Sequence, residues 1–235
     1  MHITNIEKLP RKKNRIYIDG EFAFMLYDRD MAVYHIPDGG TGEDFTDIEI
    51  SEAQFERIMK ETVTRRAHQK ALNLLESMDR SEDELRRRLK LDMYGEGVID
   101  ETVNWLKGLH YLDDERYAQS YIRGRIANTS RQELRTRLLA KGIERDLIDE
   151  AYEVCSEELR VRPGAADERD AEDTDIEQQA AVKTLKKKLG SKRALTPKER
   201  MSIIGYMLRK GFGRSRIQAA FDTLGISIGY DDIPE

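Results

Sequence analysis

The chain repeats itself, and that restricts its fold more than any other feature. Leu85-Arg86-Arg87-Arg88-Leu89 resembles Leu134-Arg135-Thr136-Arg137-Leu138, and at the same offset of 49 residues Val98-Ile99-Asp100-Glu101 matches Leu147-Ile148-Asp149-Glu150. At a further offset of 69, Leu138, Lys141-Gly142-Ile143, Ile148 and Ala151 meet Met207, Lys210-Gly211-Phe212, Ile217 and Ala220. A short helical unit cannot bury its apolar face alone, so three copies imply tandem stacking. The expected fold is mainly α, tandem three-helix repeats in an elongated curved array, with a small N-terminal β-hairpin extension. Charged residues at 36% and aromatics at 7% suit slender helices that bury one stripe each.

Each copy carries its own punctuation. Ser81-Glu82-Asp83-Glu84, Ser130-Arg131-Gln132-Glu133 and Thr196-Pro197-Lys198-Glu199 read as capping boxes, in which hydroxyl and carboxylate each satisfy an orphan N–H. Gly142 and Gly211 fall where a helix ends in a left-handed cap, each behind a lysine. The third box lies about a turn earlier relative to its Lys-Gly, which implies either a longer middle helix in that copy or a slip in the repeat alignment there.

Upstream, Arg15-Ile16-Tyr17-Ile18 and Glu21-Phe22-Ala23-Phe24-Met25-Leu26 flank Asp19-Gly20, a hairpin signal because a type I′ turn needs positive φ at both central positions. An isolated hairpin is marginal in water, so a third strand or a helix is expected against it. Ile3-Thr4-Asn5-Ile6 and Phe45-Thr46-Asp47-Ile48-Glu49-Ile50 are the candidate extra strands, and 37–42 reads as a loop. From Ser51, apolar residues at Phe55, Ile58, Met59, Val63, Ala67, Ala71, Leu74 and Leu75 predict one long amphipathic helix. The resulting division is an extension over 1–50, repeats over 51–110, 111–160 and 177–225, an acidic linker over 161–176 and a tail over 226–235.

The net charge of −5 conceals an asymmetry. Residues 1–64 hold 8 basic and 13 acidic side chains, 151–177 hold 3 and 10, and 178–235 hold 12 and 5. A basic third repeat attracts a polyanion or an acidic protein face. Lys186, Lys187, Lys188, Lys210, Arg214 and Arg216 are its candidate contacts, because their sequence neighbours hold few acids. Arg86-Arg87-Arg88, by contrast, follows Glu82-Asp83-Glu84 by one turn and reads as self-neutralised. The one cysteine, Cys155, allows no internal disulfide, and four scattered histidines lack metal-ligand spacing, so neither metal nor cofactor is expected. No apolar run approaches a bilayer span, and no phosphate-binding loop, HExxH or nucleophile–base pair is visible. These features point to a cytoplasmic protein that is not an enzyme.

Tyr111-Leu112-Asp113-Asp114-Glu115-Arg116-Tyr117-Ala118, followed by Tyr121-Ile122-Arg123 and Arg125, resembles the signature of the RecX family. Glu133-Leu134, Leu138 and Lys141-Gly142-Ile143 resemble that family's continuation, and Tyr17-Ile18-Asp19 with Phe22-Ala23-Phe24 resembles an N-terminal extension found in many members. The resemblance implies a monomeric regulator that lies in the groove of a RecA–DNA filament and restrains ATP turnover, growth and strand exchange. It adds Arg123, Arg125 and Lys141 to the candidate contacts. Tyr111, Leu112, Asp113, Asp114, Tyr117, Ala118, Tyr121 and Gly142 read mainly as structural: the acids as caps, the tyrosines as packing one helical turn apart. Two other readings compete. A general single- or double-stranded DNA binder would act through the third repeat alone, and a helical adaptor would have no nucleic-acid role.

Overall fold

The computed structural model describes residues 1–37, 47–161, 175–192 and 194–228, in two compact units, Met1–Asp113 and Asp114–Glu235. The expected 37–42 loop beyond Pro37, nearly all of the acidic linker and the end of the tail lie outside the described residues.

In the first unit, β1 (His2–Leu9), β2 (Lys13–Ile18), β3 (Glu21–Tyr27) and β4 (Ile48–Glu49) form an antiparallel sheet in the order β3-β2-β1-β4. The hairpin turn falls where Asp-Gly placed it, with φ of 49° at Asp19 and 89° at Gly20. Both candidate extra strands pair with their neighbours, β4 over two residues. A short helix, α1 (Asp28–Val33), follows β3, and its first turn is closed by the Tyr27 N–H donating 2.8 Å to Asp30. Strand residues Ile3, Ile16, Phe24 and Leu26 share one core with Ile58, Val63 and Ala67. The sheet therefore buries its apolar face on the helix that follows, as a marginal hairpin must.

That helix is not the uniform one its periodicity suggests. α2 (Glu52–Ile58) runs through a π-helical turn, Met59–Thr64, into α3 (Arg65–Ser77). Thr62, Val63 and Thr64 are all buried. Three consecutive residues cannot face one side of a 3.6-residue helix, and the wider turn accommodates them. Thr62 is tied to the Tyr34 hydroxyl at 2.7 Å, and the Thr64 hydroxyl donates to Glu101 at 3.2 Å. α4 (Glu82–Leu91) and α5 (Glu96–Gly108) complete the first three-helix set around Ala71, Leu85, Leu89, Ile99, Val103 and Leu106.

The second unit holds two further sets: α6 (Asp114–Arg123), α7 (Arg131–Leu139) and α8 (Arg145–Val161), then α9 (Ile176–Leu189), α10 (Pro197–Arg209) and α11 (Arg214–Thr223). A one-turn 3-10 helix, Ile126–Asn128, joins α6 to α7. Two-residue strands β5 (Ala194–Leu195) and β6 (Ser227–Ile228) pair in parallel beside α10. At 13 residues α10 is longer than α4 with 10 and α7 with 9, which is the longer-helix reading of the early capping box.

The middle helix of each set ends alike. Ile143 N–H donates 3.1 Å to Leu138 and Gly142 N–H 2.9 Å to Leu139, while Phe212 and Gly211 repeat the pattern to Met207 and Leu208. These are Schellman caps, with φ of 80° and 81° at the glycines. The first copy closes the same way with a non-glycine residue: Met93 has φ 67°, and Tyr94 donates to Leu89.

Candidate partner-binding surface

The capping boxes at Ser81 and Thr196 form in full. Ser130 keeps only half of its box. Its hydroxyl accepts from the Glu133 N–H at 3.1 Å but donates 2.6 Å to the Lys210 carbonyl, the last turn of α10. Glu133 gives its carboxylate to Lys210 Nζ at 3.1 Å and to Arg137 at 2.6 Å. The positive end of α7 thus meets the negative end of α10 through a buried hydroxyl and an ion pair. Gly211 lies in this joint, where an added Cβ would stand 2.6 Å from Ser130 Oγ.

A second tie involves Arg216, which pairs with Asp175 and, at 3.1 Å, with Glu177. Asp175 caps α9 by accepting from Glu177 and Gln178. Glu177 also accepts the Arg131 N–H at 3.2 Å. Burial works to raise the Asp175 carboxyl, but the Arg216 guanidinium prevails and holds it below the usual range. These contacts correct the expectation that the third-repeat cations have few acids near them. Lys210 meets Glu133 across the repeats, Lys192 meets Glu199 and Arg216 meets two carboxylates, because folding recruits acids from other helices. Asp175 closes the acidic stretch whose charge could mask these cations, whereas Glu177 and Glu133 drew no attention in the sequence as partners.

The signature residues divide in the same way. Leu112 and Ala118 are buried, and Asp113 stands immediately before α6, with Asp114 and Glu115 in its first turn. Tyr111 is exposed. Arg123 is held by Glu158 through two hydrogen bonds of 2.8 Å. Arg125 does not continue α6, which ends at Arg123. It turns back to lie 4.0 Å from the Tyr121 ring. Tyr117 and Tyr121 stack with centroids 6.3 Å apart, and Lys141 lies 5.6 Å and 6.0 Å from their two rings. The protein's own cations cover these aromatic faces.

What stays outward is narrower than the sequence list. Lys186 and Lys187 project from the last turn of α9, where positive charge complements the helix terminus, and Arg214 opens α11. No ion pair holds these three among the described residues. Lys188 is exposed and rests 5.0 Å from the Tyr206 ring. Arg86, Arg87 and Arg88, in contrast, are paired with Glu82, Asp83, Asp92 and Asp100. Among the described residues no cluster of His, Cys, Asp and Glu is arranged to hold a metal, and no helix is long and apolar enough to cross a membrane.

Fold and surface together define a tandem three-helix repeat protein whose third repeat exposes cations that no ion pair holds among the described residues. Models of the first, second and third three-helix domains of RecX match residues 67–106, 113–151 and 175–221. A regulatory protein RecX of Clostridium perfringens is 30% identical over 159 residues, covering 66% of this chain and 71% of that protein. One from Clostridium beijerinckii is 28% identical over 63% of this chain and 67% of its own length. One from Listeria monocytogenes is 25% identical over 94% of this chain and 74% of its own length. A crystal structure of a regulatory protein RecX superposes with TM-score 0.55 at 21% identity, covering 94% of this chain and 98% of that one. The structure of RecX from Lactobacillus salivarius gives 0.51 at 21% identity, over 68% and 96%. The chain belongs to the RecX family.

Proposed function

We propose that this chain regulates a RecA-type recombinase by occupying its DNA filament. Lys186, Lys187, Lys188 and Arg214 supply electrostatic contacts to filament acids or to the phosphates of bound DNA. Membership of a family whose relatives are named regulatory proteins supports a regulatory role. The observation that carries the electrostatic reading is the group of outward cations on α9 and α11, which no ion pair holds among the described residues while Lys210 and Arg216 are consumed by internal ion pairs. Regulation works by occupancy: many modest contacts along a periodic target slow ATP turnover, filament growth and strand exchange, with no chemistry by the chain itself. The acting species is a cytoplasmic monomer, and direct binding to single- or double-stranded DNA is a weaker, salt-sensitive accompaniment.

Titrating the chain into DNA-dependent ATP hydrolysis by its cognate recombinase tests this. Inhibition at amounts well below the recombinase is expected. Steeply salt-dependent binding to bare DNA with unchanged ATP turnover would favour the general DNA-binding reading instead.

A further inference from the structure

Three features of the first unit meet at one cleft of about 170 Å³. Val63 of the π-helical turn and Arg66 of α3 both line it. Met93, a bulky residue held at φ 67°, forms another part of the wall beside Tyr94. Wide helical turns are frequent at functional sites. The third feature is the set of cations around Tyr27. Arg66 lies 4.8 Å and Lys13 5.9 Å from its ring, and an adjoining depression shares Tyr27 with Arg11 and Lys12.

The charge balance at this place is opposite to that of the surrounding sequence. Residues 1–64 are acidic overall, yet the local acids are all engaged. Asp28 accepts from Asn14 at 2.9 Å, Asp30 holds Arg66 through contacts of 2.6 Å and 2.8 Å, and Asp92 meets Lys70 at 3.1 Å. Among the described residues no ion pair holds Arg11, Lys12 or Lys13. Burial, with Asp92 nearby, pushes the Tyr94 phenol up to about 12, so the wall gains no further negative charge at neutral pH.

The cleft is of side-chain size, and its lining is part apolar and part charged. Met25, Leu26 and Val63 line it, and an apolar cavity of about 150 Å³ accommodates a benzene ring. We propose that this cleft seats one apolar or aromatic side chain of an acidic peptide segment from a partner protein, with the flanking carboxylates on Arg11, Lys12 and Lys13. The apolar share of the lining, Met25, Leu26 and Val63, suits such a side chain better than a backbone phosphate. The site belongs to the first unit and the third-repeat surface to the second, and its test needs no recombinase.

Fluorescence anisotropy on the full chain supplies the test, with labelled Glu-Glu-Asp-Phe-Glu-Glu and its Phe-to-Ala counterpart as probes. Burial of the Phe ring is expected to make the first peptide bind about tenfold or more tighter. Arg11→Glu with Lys12→Glu, both on an exposed turn, should weaken both peptides several-fold and leave the Phe preference intact. Met25→Trp, which fills the cleft, should abolish the preference while far-UV circular dichroism stays native. If that variant loses helicity, the Phe–Ala comparison and the turn variant carry the test by themselves. Equal binding of the two peptides would overturn the proposal. So would a Phe preference that survives a folded Met25→Trp, or oligothymidylate binding that depends on the cleft where no peptide binds.

Discussion

Replacing Gly211 by alanine probes the joint between the second and third repeats with one methyl group. Two costs are separable. At φ 81° an L side chain is strained by about 1–2 kcal/mol, partly offset because alanine has less unfolded-state entropy to lose. The new Cβ would also stand 2.6 Å from Ser130 Oγ, 3.0 Å from Gln132 Cβ and 3.3 Å from the Glu133 backbone nitrogen. Ser130 is fully buried and must turn away, giving up its 2.6 Å bond to the Lys210 carbonyl and its cap on α7. Leaving those groups unsatisfied costs about 2 kcal/mol more. Gly225→Ala is the control: φ is 61° there and an added Cβ meets nothing within 4 Å, so only the strain of about 1 kcal/mol remains. Urea unfolding followed by circular dichroism should show Gly211→Ala costing about 3 kcal/mol in all. In a double-mutant cycle, Ser130→Ala should recover about 1 kcal/mol of coupling. Equal losses for Gly211→Ala and Gly225→Ala would refute the reasoning, since strain alone would then account for both.

Other outcomes follow from the same contacts. Burial works to raise the Asp30 carboxyl, but hydrogen bonds from Arg66 and the Tyr27 N–H outweigh it and hold it low. Its stabilisation is therefore complete above the unfolded-state pKa and is lost as pH falls through the folded value. Asp30→Asn should cost about 2 kcal/mol at neutral pH, and the gap to the native chain should close below about pH 4 in acid titrations of stability. His110 follows α5 with φ 58° and its N–H on Lys107, so His110→Gly should add about 1 kcal/mol of stability, read as a higher urea midpoint at an unchanged slope. Arg216→Ala should destabilise the second unit by about 1 kcal/mol, less at high salt, whereas Lys187→Ala should leave stability unchanged by the same assay.

What the sequence reveals and what it hides divide along range of interaction. The Asp19-Gly20 turn, the boxes at Ser81 and Thr196 and the caps at Gly142 and Gly211 are set by residues a few positions apart, and all stand where local chemistry placed them. The π turn at Met59–Thr64 is imposed from elsewhere, by Tyr34 of the sheet unit and Glu101 of α5, so periodicity passes over it. Met93 carries no glycine signal, yet the repeat offset of 49 from Gly142 marks its position. The surface was the least legible part. Ser130 meets Lys210 across 80 residues and Arg216 meets Asp175 across 41, so whether a cation is spent internally depends on how the helices stack. Sequence neighbours alone gave the same reading to Arg216, which is tied down, and to Arg214, which is not.

The central claim is that the outward cations of the third repeat engage a recombinase filament. It is tested most directly by comparing the native chain with a Lys186→Ala, Lys187→Ala, Lys188→Ala, Arg214→Ala variant as inhibitors of DNA-dependent ATP hydrolysis by the cognate recombinase. Loss of several partner-facing charges predicts roughly tenfold weaker inhibition, at native helicity and unfolding midpoint. Undiminished inhibition by the folded variant would contradict the account.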